Sequence, residues 1–377
     1  IGRLVGSEMC IRDRYIANVV LWLETLDLWK TFSHRVATIY LPDRKRPMLP
    51  TILSDTLCSL QENQNRFALA MDIYFDIEGN FLKDVEAVKY RNVLIKVQKN
   101  YSYEEHNLLF KEVVYTKLYD LTCRMDRNVK TSHDIVSHWM ILMNAYTGMF
   151  MLNKKKGIFR SVIIQNIEKD EDKLQTAELA EETKRVIKQW NNVSGHYINF
   201  HENASINHDL INMDSLLAIK KSMKKRNMKP YIHITSPIRR LVDLLNQIIL
   251  YNEESYIVKS VSENAKEFLN EWTSKLDYVN TAMRSIRKVQ TDCNLLHNCV
   301  NNPVYLEKEH DGVVFDKVRR NNGAYNYMVY LEKLRLISRI TMHHDIEEHT
   351  RNKFKLYMFQ DEENLKKKIK LQLIVSS

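Results

Sequence analysis

The chain changes its hydrophobic rhythm twice. Its first hundred residues alternate in short runs: Tyr15–Leu23 has strand character, and Phe67–Phe75 alternates as a half-buried strand does. Glu78-Gly79-Asn80 supplies a turn before Phe81–Val88, which predicts a hairpin, and Val93–Tyr103 reads as a further strand. From about residue 104 to 300 the period becomes helical. Thr131–Phe150 puts Ile135, Trp139, Leu142 and Met143 on one stripe, and Thr176–Trp190 is amphipathic. Phe268, Trp272, Leu276, Val279, Met283 and Ile286 recur at helical spacing and predict one long helix, with Arg284, Arg287 and Lys288 on its exposed side. After Asn301-Asn302-Pro303 short alternating runs return at 312–318, 324–331, 338–342, 353–359 and 368–375. Asn321-Asn322-Gly323 suits the positive φ of a hairpin turn. Five short strands in so little chain predict a small β-barrel of OB type.

Composition narrows the chemistry. The 377 residues are 44% hydrophobic and 27% charged, a globular balance with room for two or three domains. The net charge of +9 is spread along the chain and gives a surface that attracts polyanions. Cys10, Cys58, Cys123, Cys293 and Cys299 are dispersed and form no CxxC, which predicts a reducing compartment, intracellular and cytoplasmic, over a disulfide framework. No apolar run reaches the ~18–20 residues of a membrane span, and the densest, Met140–Met151, reads as a buried helix. The eight glycines form neither GxGxxG nor GxxxxGK[ST], so no nucleotide cofactor is expected, and any phosphate must be held by side chains and metal ions. Acidic residues Glu168, Asp170, Glu171 and Asp172 precede an amphipathic stretch, where carboxylates suit a helix start. His196, His201 and His208 with Glu202 and Asp209 match no common zinc spacing.

Six prolines mark two rigid loops and a boundary: Pro42, Pro47 and Pro50; Pro230 and Pro237; and Pro303. The second loop reads Tyr231-Ile-His-Ile-Thr-Ser-Pro-Ile-Arg-Arg240, followed by Leu, Val and Asp243. Adjacent guanidiniums at a proline-initiated helix start make a phosphate site. The structural alternative is that Arg239 or Arg240 pairs with Asp243 one turn on.

YIHITSPIRRxxDL resembles the YxHxTSPIRRYxDL signature of the RNB-domain 3′→5′ exoribonucleases, the RNase II and RNase R family. Tyr40–Leu60 resembles that family's YLPxxxxPMLPxxLSxxLCSL segment, Tyr103-Glu104-Glu105 its YEE element, and Gly157-Ile158-Phe159-Arg160 its GI[FY]RV stretch. The resemblance implies an α+β fold: an RNB ribonuclease domain lacking its N-terminal part over 15–302, then an OB-fold-like RNA-binding barrel over 303–377. It implies Mg²⁺-dependent hydrolysis of single-stranded RNA to nucleoside 5′-monophosphates by a chain favoured as a monomer without membrane partners. By the same resemblance Arg239 contacts the scissile phosphate, Tyr40 stacks on the 3′-terminal nucleotide, Tyr103 lies beside it, and Thr235, Ser236 and Arg240 complete the substrate loop.

Several departures bear on activity. Ile1–Arg14 shares no pattern with the rest and reads as a translated sequencing adapter. Ile16-Ala17-Asn18-Val19 resembles the family's IADV strand, with Asn18 for Asp. The aspartate motif DxxxxxDxDDA would precede residue 1, so the Mg²⁺ ligands are expected outside this sequence, and the chain as written is expected to be inactive. Ile135-Val136-Ser137-His138 stands where a Glu-Glu pair is usual, Leu241 replaces Tyr, and Gln247-Ile248 replaces His-Arg. Lys220–Lys229 is a basic run suited to an RNA path or to a solvated helix end. The second functional reading is a catalytically inactive RNA-binding protein, and the third an assembly protein that does not grip RNA.

Overall fold

The computed structural model describes the chain apart from residues 1–2, 5–8, 33, 77–87, 103–104, 106–107, 109–111, 163–173, 175, 194, 203, 205, 210–228, 254–260, 321, 362–365 and 375–377. It divides into two compact units, each drawn from three stretches of sequence: 1–38, 47–163 and 196–280 in the first, and 39–46, 164–195 and 281–377 in the second.

In the first unit an antiparallel sheet has the order β1 (Arg3–Leu4), β2 (Met9–Ala17), β5 (Asn65–Asp76), β6 (Val88–Lys96). Strand β2 runs through Met9–Arg14, pairing Met9 with Asp76 and Ala17 with Ala68. The strand character read over Tyr15–Leu23 holds only to Ala17. Val19–Thr25 is helix α1, because Asn18 caps it by accepting the Leu21 N–H at 3.1 Å. The turn read at Glu78-Gly79-Asn80 lies outside the described residues. Strand β6 spans Val88–Lys96, earlier than the Val93–Tyr103 expected, because its register follows β5.

Helix α2 is Val113–Met125 and α3 is Ser132–Asn153. A capping box starts α3: Thr131 Oγ1 accepts the Asp134 N–H, and Asp134 accepts the Thr131 N–H. By length and hydropathy α3 could cross a membrane, which the apolar-run criterion missed, but Ile135, Trp139, Leu142, Met143 and Met151 are buried in this unit as a core helix requires. Helix α5 (Leu241–Glu253; α4 belongs to the second unit) is buried at every residue from Leu241 to Tyr251. The single helix expected from Phe268 to Ile286 is two, α6 (Glu263–Ser274) and α7 (Leu276–Asn301). The chain turns at Lys275, whose N–H donates back to the Trp272 carbonyl at 3.2 Å. The apolar spacing runs on across this one-residue break, so periodicity could not show it.

The second unit holds a five-stranded antiparallel sheet in the order β11 (Leu336–Met342), β10 (Tyr325–Leu331), β9 (Glu309–Arg319), β12 (Arg351–Asp361), β13 (Lys366–Leu373). Its edge strands β11 and β13 approach one another, so the sheet is nearly closed into an OB-like barrel. Val314, Tyr327, Val329, Phe354 and Leu356 fill it, with Leu295 and Cys299 of α7. Gly323 takes the positive φ (+81°) predicted for the β9–β10 turn. A bulge near Met328 coincides with a left-handed Asp316. Helix α4 (Glu181–Val193) packs on the outside. Cys58, Cys123, Cys293 and Cys299 are free thiols.

Candidate phosphate-binding loop

Two buried amides hold the Pro230–Arg240 loop in place. Asn144 on α3 donates to the Tyr231 hydroxyl at 2.9 Å and accepts the Ile234 N–H at 3.1 Å. Asn246 on α5 donates to the carbonyls of His233 (3.0 Å) and Ile158 (2.9 Å) and accepts the Ile158 N–H (2.9 Å). Both are fully buried, so each satisfies loop backbone that water cannot reach. One turn beyond Asn144, Gly148 lets the loop lie directly on α3: an added Cβ would stand 3.0 Å from the Pro230 carbonyl oxygen. Strand β7 (Ile158–Ser161), which begins just after Gly157 of the GIFR residues, pairs with β8 (His196–Asn199), and Arg160 N–H donates to the Tyr231 carbonyl at 2.8 Å.

The two arginines part company at the helix start. Arg239 and Arg240 N–H groups both point to the Ser236 carbonyl at 3.1 Å, closing a turn around Pro237. Asp243, with no solvent exposure, accepts the Ser236 N–H at 2.7 Å and the Arg240 Nη2 at 2.9 Å, with Arg240 Nε 2.8 Å from its other oxygen. Burial raises the Asp243 carboxyl pKa, while the Arg240 charge and the Ser236 N–H pull it back. Arg240 itself is held charged by Asp243 against its burial. The alternative read for Asp243 is thus met by Arg240 alone. Arg239 is exposed and makes no side-chain ion pair among the described residues; its backbone is held at both ends, the N–H by the Ser236 carbonyl and the carbonyl by Thr38 N–H at 3.0 Å. Thr235 and Ser236 are half-buried, and Thr235 Oγ1 is buried without a hydrogen-bond partner among the described residues.

Behind the loop the field is positive. Arg160 is buried, with its guanidinium 5.0 Å from the centre of the Tyr197 ring. The Tyr197 hydroxyl lies 2.8 Å from His233 Nδ1. Burial first, then the charges of Arg240 and Arg160, push His233 well below the usual imidazole range. Burial and Arg160 bring His208 down to about 4. Both imidazoles are neutral at pH 7, so the cationic character belongs to the guanidiniums.

Other candidates fall elsewhere. Tyr40 on β3 (Ile39–Tyr40), paired with β4 (Lys45–Arg46), belongs to the second unit, where it is 45% exposed and its carbonyl accepts from Gln290 at 3.2 Å. Tyr103, the run Lys220–Met228 and the acidic cluster at 168–172 lie outside the described residues. Asn18 is buried: the Tyr251 hydroxyl lies within hydrogen-bond distance of the Oδ1 atoms of Asn18 and Asn92, and the Asn18 amide donates to Asn92 Oδ1 at 2.8 Å. A carboxylate could not make that donation. Gln247 extends the neutral network by donating to the Ala17 carbonyl at 2.8 Å. His138 is buried with Nδ1 3.7 Å from Asp126. Among the described residues no three or more His, Cys, Asp or Glu converge as a metal site requires, the His196–Asp209 group included. These residues do not fit a Mg²⁺ site. Sequence reading missed Asn144, Asn246 and Arg160 as supports of the loop; Asn144, a polar residue inside an apolar stripe, was the available signal.

Residues 16–120 and 113–253 match the RNB domain. The chain belongs to the RNB domain family. Exoribonuclease 2 of Edwardsiella piscicida is 48% identical to this RNB chain over 52 residues, which cover 14% of it and 8% of that enzyme. The alignment thus takes in under a tenth of that relative's length. The fold is similar to Mycoplasma genitalium RNase R in complex with ribose methylated single-stranded RNA (TM-score 0.65, 15% identity, 98% of this chain and 68% of that one). It is also similar to yeast Ssd1, a pseudonuclease (TM-score 0.58, 12% identity, 94% and 48%). The RNB-like fold with an OB-like barrel is the architecture expected from the motifs.

Proposed function

We propose that the chain grips single-stranded RNA and belongs to a 3′→5′ exoribonuclease that releases nucleoside 5′-monophosphates. The observation that carries this reading is the division of labour at the loop. Asp243 engages Arg240, and an immobilised backbone presents Arg239 to solvent beside Thr235 and Ser236. A guanidinium fixed in this way can meet the scissile phosphate with two parallel N–H donors and stabilise charge that grows on it during hydrolysis. Arg240, Asp243, Asn144 and Asn246 position it; Tyr40 supplies an exposed ring on which a base can stack. Magnesium, which would activate water and neutralise phosphate charge in this chemistry, needs carboxylate ligands beyond the described residues.

The second reading, an RNA-binding protein without turnover, is favoured by the same lack of a converging carboxylate cluster among the described residues. One gel tests the grip and the turnover. The chain is mixed with 5′-labelled single-stranded RNA and Mg²⁺, and binding and shortening are followed together. Stepwise shortening from the 3′ end, lost in Arg239→Ala, supports the nuclease and overturns the expectation that its metal ligands lie outside this sequence. Binding without shortening fits both readings, which the upstream sequence then separates: a DxDDA motif there supports the nuclease and its absence the second reading. Affinity untouched by Arg239→Ala rejects the loop as the grip.

A further inference from the structure

The barrel's outer surface is divided unevenly. Strands β9 and β10 are buried on both sides: Val314, Tyr327 and Val329 face the barrel interior, while Val313, Phe315, Met328 and Tyr330 pack outward with Leu174 and Ile187. Polar contacts pin α4 over that outer side. Thr183 Oγ1 donates to Glu332 at 2.8 Å, Trp190 Nε1 to Asp316 at 2.7 Å, and Arg335 Nε lies 3.1 Å from Glu182. OB-type barrels generally hold nucleic acid on the face of their second and third strands. Here those strands are β10 and β11, and their outward Met328, Tyr330 and Ile337 lie under α4. The chain's own helix occupies that face.

The β12–β13 hairpin presents the opposite character. Phe354, Leu356 and Leu371 point into the core. The alternate positions on β12 are Lys353, Lys355, Tyr357 and Phe359; across the register Tyr357 faces Lys370, and Phe359 faces Lys368. Tyr357 is 37% exposed and Phe359 50%. Lys355 Nζ stands 5.7 Å from the Tyr357 ring centre, and Lys370 Nζ 4.9 Å from that of Phe359. Glu309 borders the face, 3.6 Å from Lys353, whereas Lys368 and Lys370 make no ion pair among the described residues. Lysines on an edge strand guard against strand-to-strand association. That accounts for β13 but not for two aromatic rings exposed on β12. Rings two residues apart on one strand are about 6.8 Å apart, and sheet-borne aromatics set out in this way stack successive bases.

We propose that the β12–β13 hairpin is a docking platform for single-stranded RNA, with Tyr357 and Phe359 stacking neighbouring bases and Lys355, Lys368 and Lys370 meeting the phosphates. This rests on the reading that the chain works on RNA, and moves the barrel's grip from the helix-covered face to the free one. Stacking of this kind is tolerant of sequence, because every base offers a π-face.

The test uses the full chain, a fluorescein-labelled oligouridylate of about 12 nucleotides, and EDTA to prevent turnover. Tyr357→Leu with Phe359→Leu keeps apolar bulk but removes the rings. It should weaken binding at least about tenfold and leave the salt dependence unchanged. Lys368→Gln with Lys370→Gln should lower the slope of log affinity against log salt by about 1.4. Parental affinity in both variants overturns the proposal. Loss in the glutamine pair alone rejects stacking in favour of a plain cationic surface. Hairpin-dependent capture of phosphatidylserine vesicles without capture of the oligonucleotide assigns the face to a membrane and overturns it too. Arg239→Ala is measured alongside. If it alone leaves affinity unchanged, the loop reading fails and the platform stands; if it alone weakens binding, the platform fails.

Discussion

Asp243 has no solvent exposure and serves two donors, the Ser236 N–H and the Arg240 guanidinium. Asp243→Asn leaves the Arg240 charge buried beside a neutral amide. It should cost about 3–5 kcal/mol, read as a fall in the urea midpoint. Arg239→Ala removes an exposed side chain and should leave stability within about 0.5 kcal/mol while weakening RNA affinity; circular dichroism melting and a binding titration on the same preparation check both. His208 offers a pH test. Its folded pKa is depressed to about 4, so the unfolded chain binds the extra proton between about 6.5 and 4. The stabilising contribution is complete above about pH 6.5 and is lost as pH falls through that window, by about 3 kcal/mol at full effect. His233, shifted in the same direction, adds to the loss. Urea midpoints at pH 7 and pH 5 should differ less in His208→Leu than in the parent; an unchanged difference would assign the acid sensitivity elsewhere.

At the scale of elements, the loop is as well placed as the helix surfaces beneath it allow. Gly148→Ala drives a methyl against the Pro230 carbonyl, loop backbone that cannot swing aside as a side chain would, and should destabilise by about 1–3 kcal/mol. Asn246→Ala strands three backbone groups, and should cost more than a surface substitution by about 2 kcal/mol or more. Thermal melting orders the two against the parent. The barrel strands were legible in the sequence because alternation and turn residues are local properties, and Gly323 sits where the hairpin needed it. The break at Lys275 was not, since the apolar stripe keeps its phase across it. Helix α1 was hidden because Val19–Leu23 is hydrophobic at every position, a run that suits strand and helix alike, and only the Asn18 cap decides. The proline loop was legible as a rigid loop carrying two adjacent arginines. Which arginine stays available was not, because Arg239 and Arg240 are both within reach of Asp243 in sequence and only the turn at Pro237 separates them.

At the scale of the molecule, each unit is gathered from three separated stretches. Such non-local closure slows folding, because loop entropy is lost before the core rewards it. Residues 281–377 expressed alone would hold all five barrel strands and the Leu295 and Cys299 of α7 that fill the barrel, but not α4, leaving Val313, Phe315, Met328 and Tyr330 open to water. That piece should bind a hydrophobic dye and associate at micromolar concentration, whereas joining residues 174–193 to it should suppress both. Dye fluorescence and light scattering make the comparison. The helix over β9 and β10 also bears on inheritance. A barrel whose outer wall is supplied by sequence more than a hundred residues upstream cannot be traded between genes as a cassette. Recombination that moves the strands without their cover delivers an unfinished surface, so barrel and helix are expected to have changed together, substitution answering substitution.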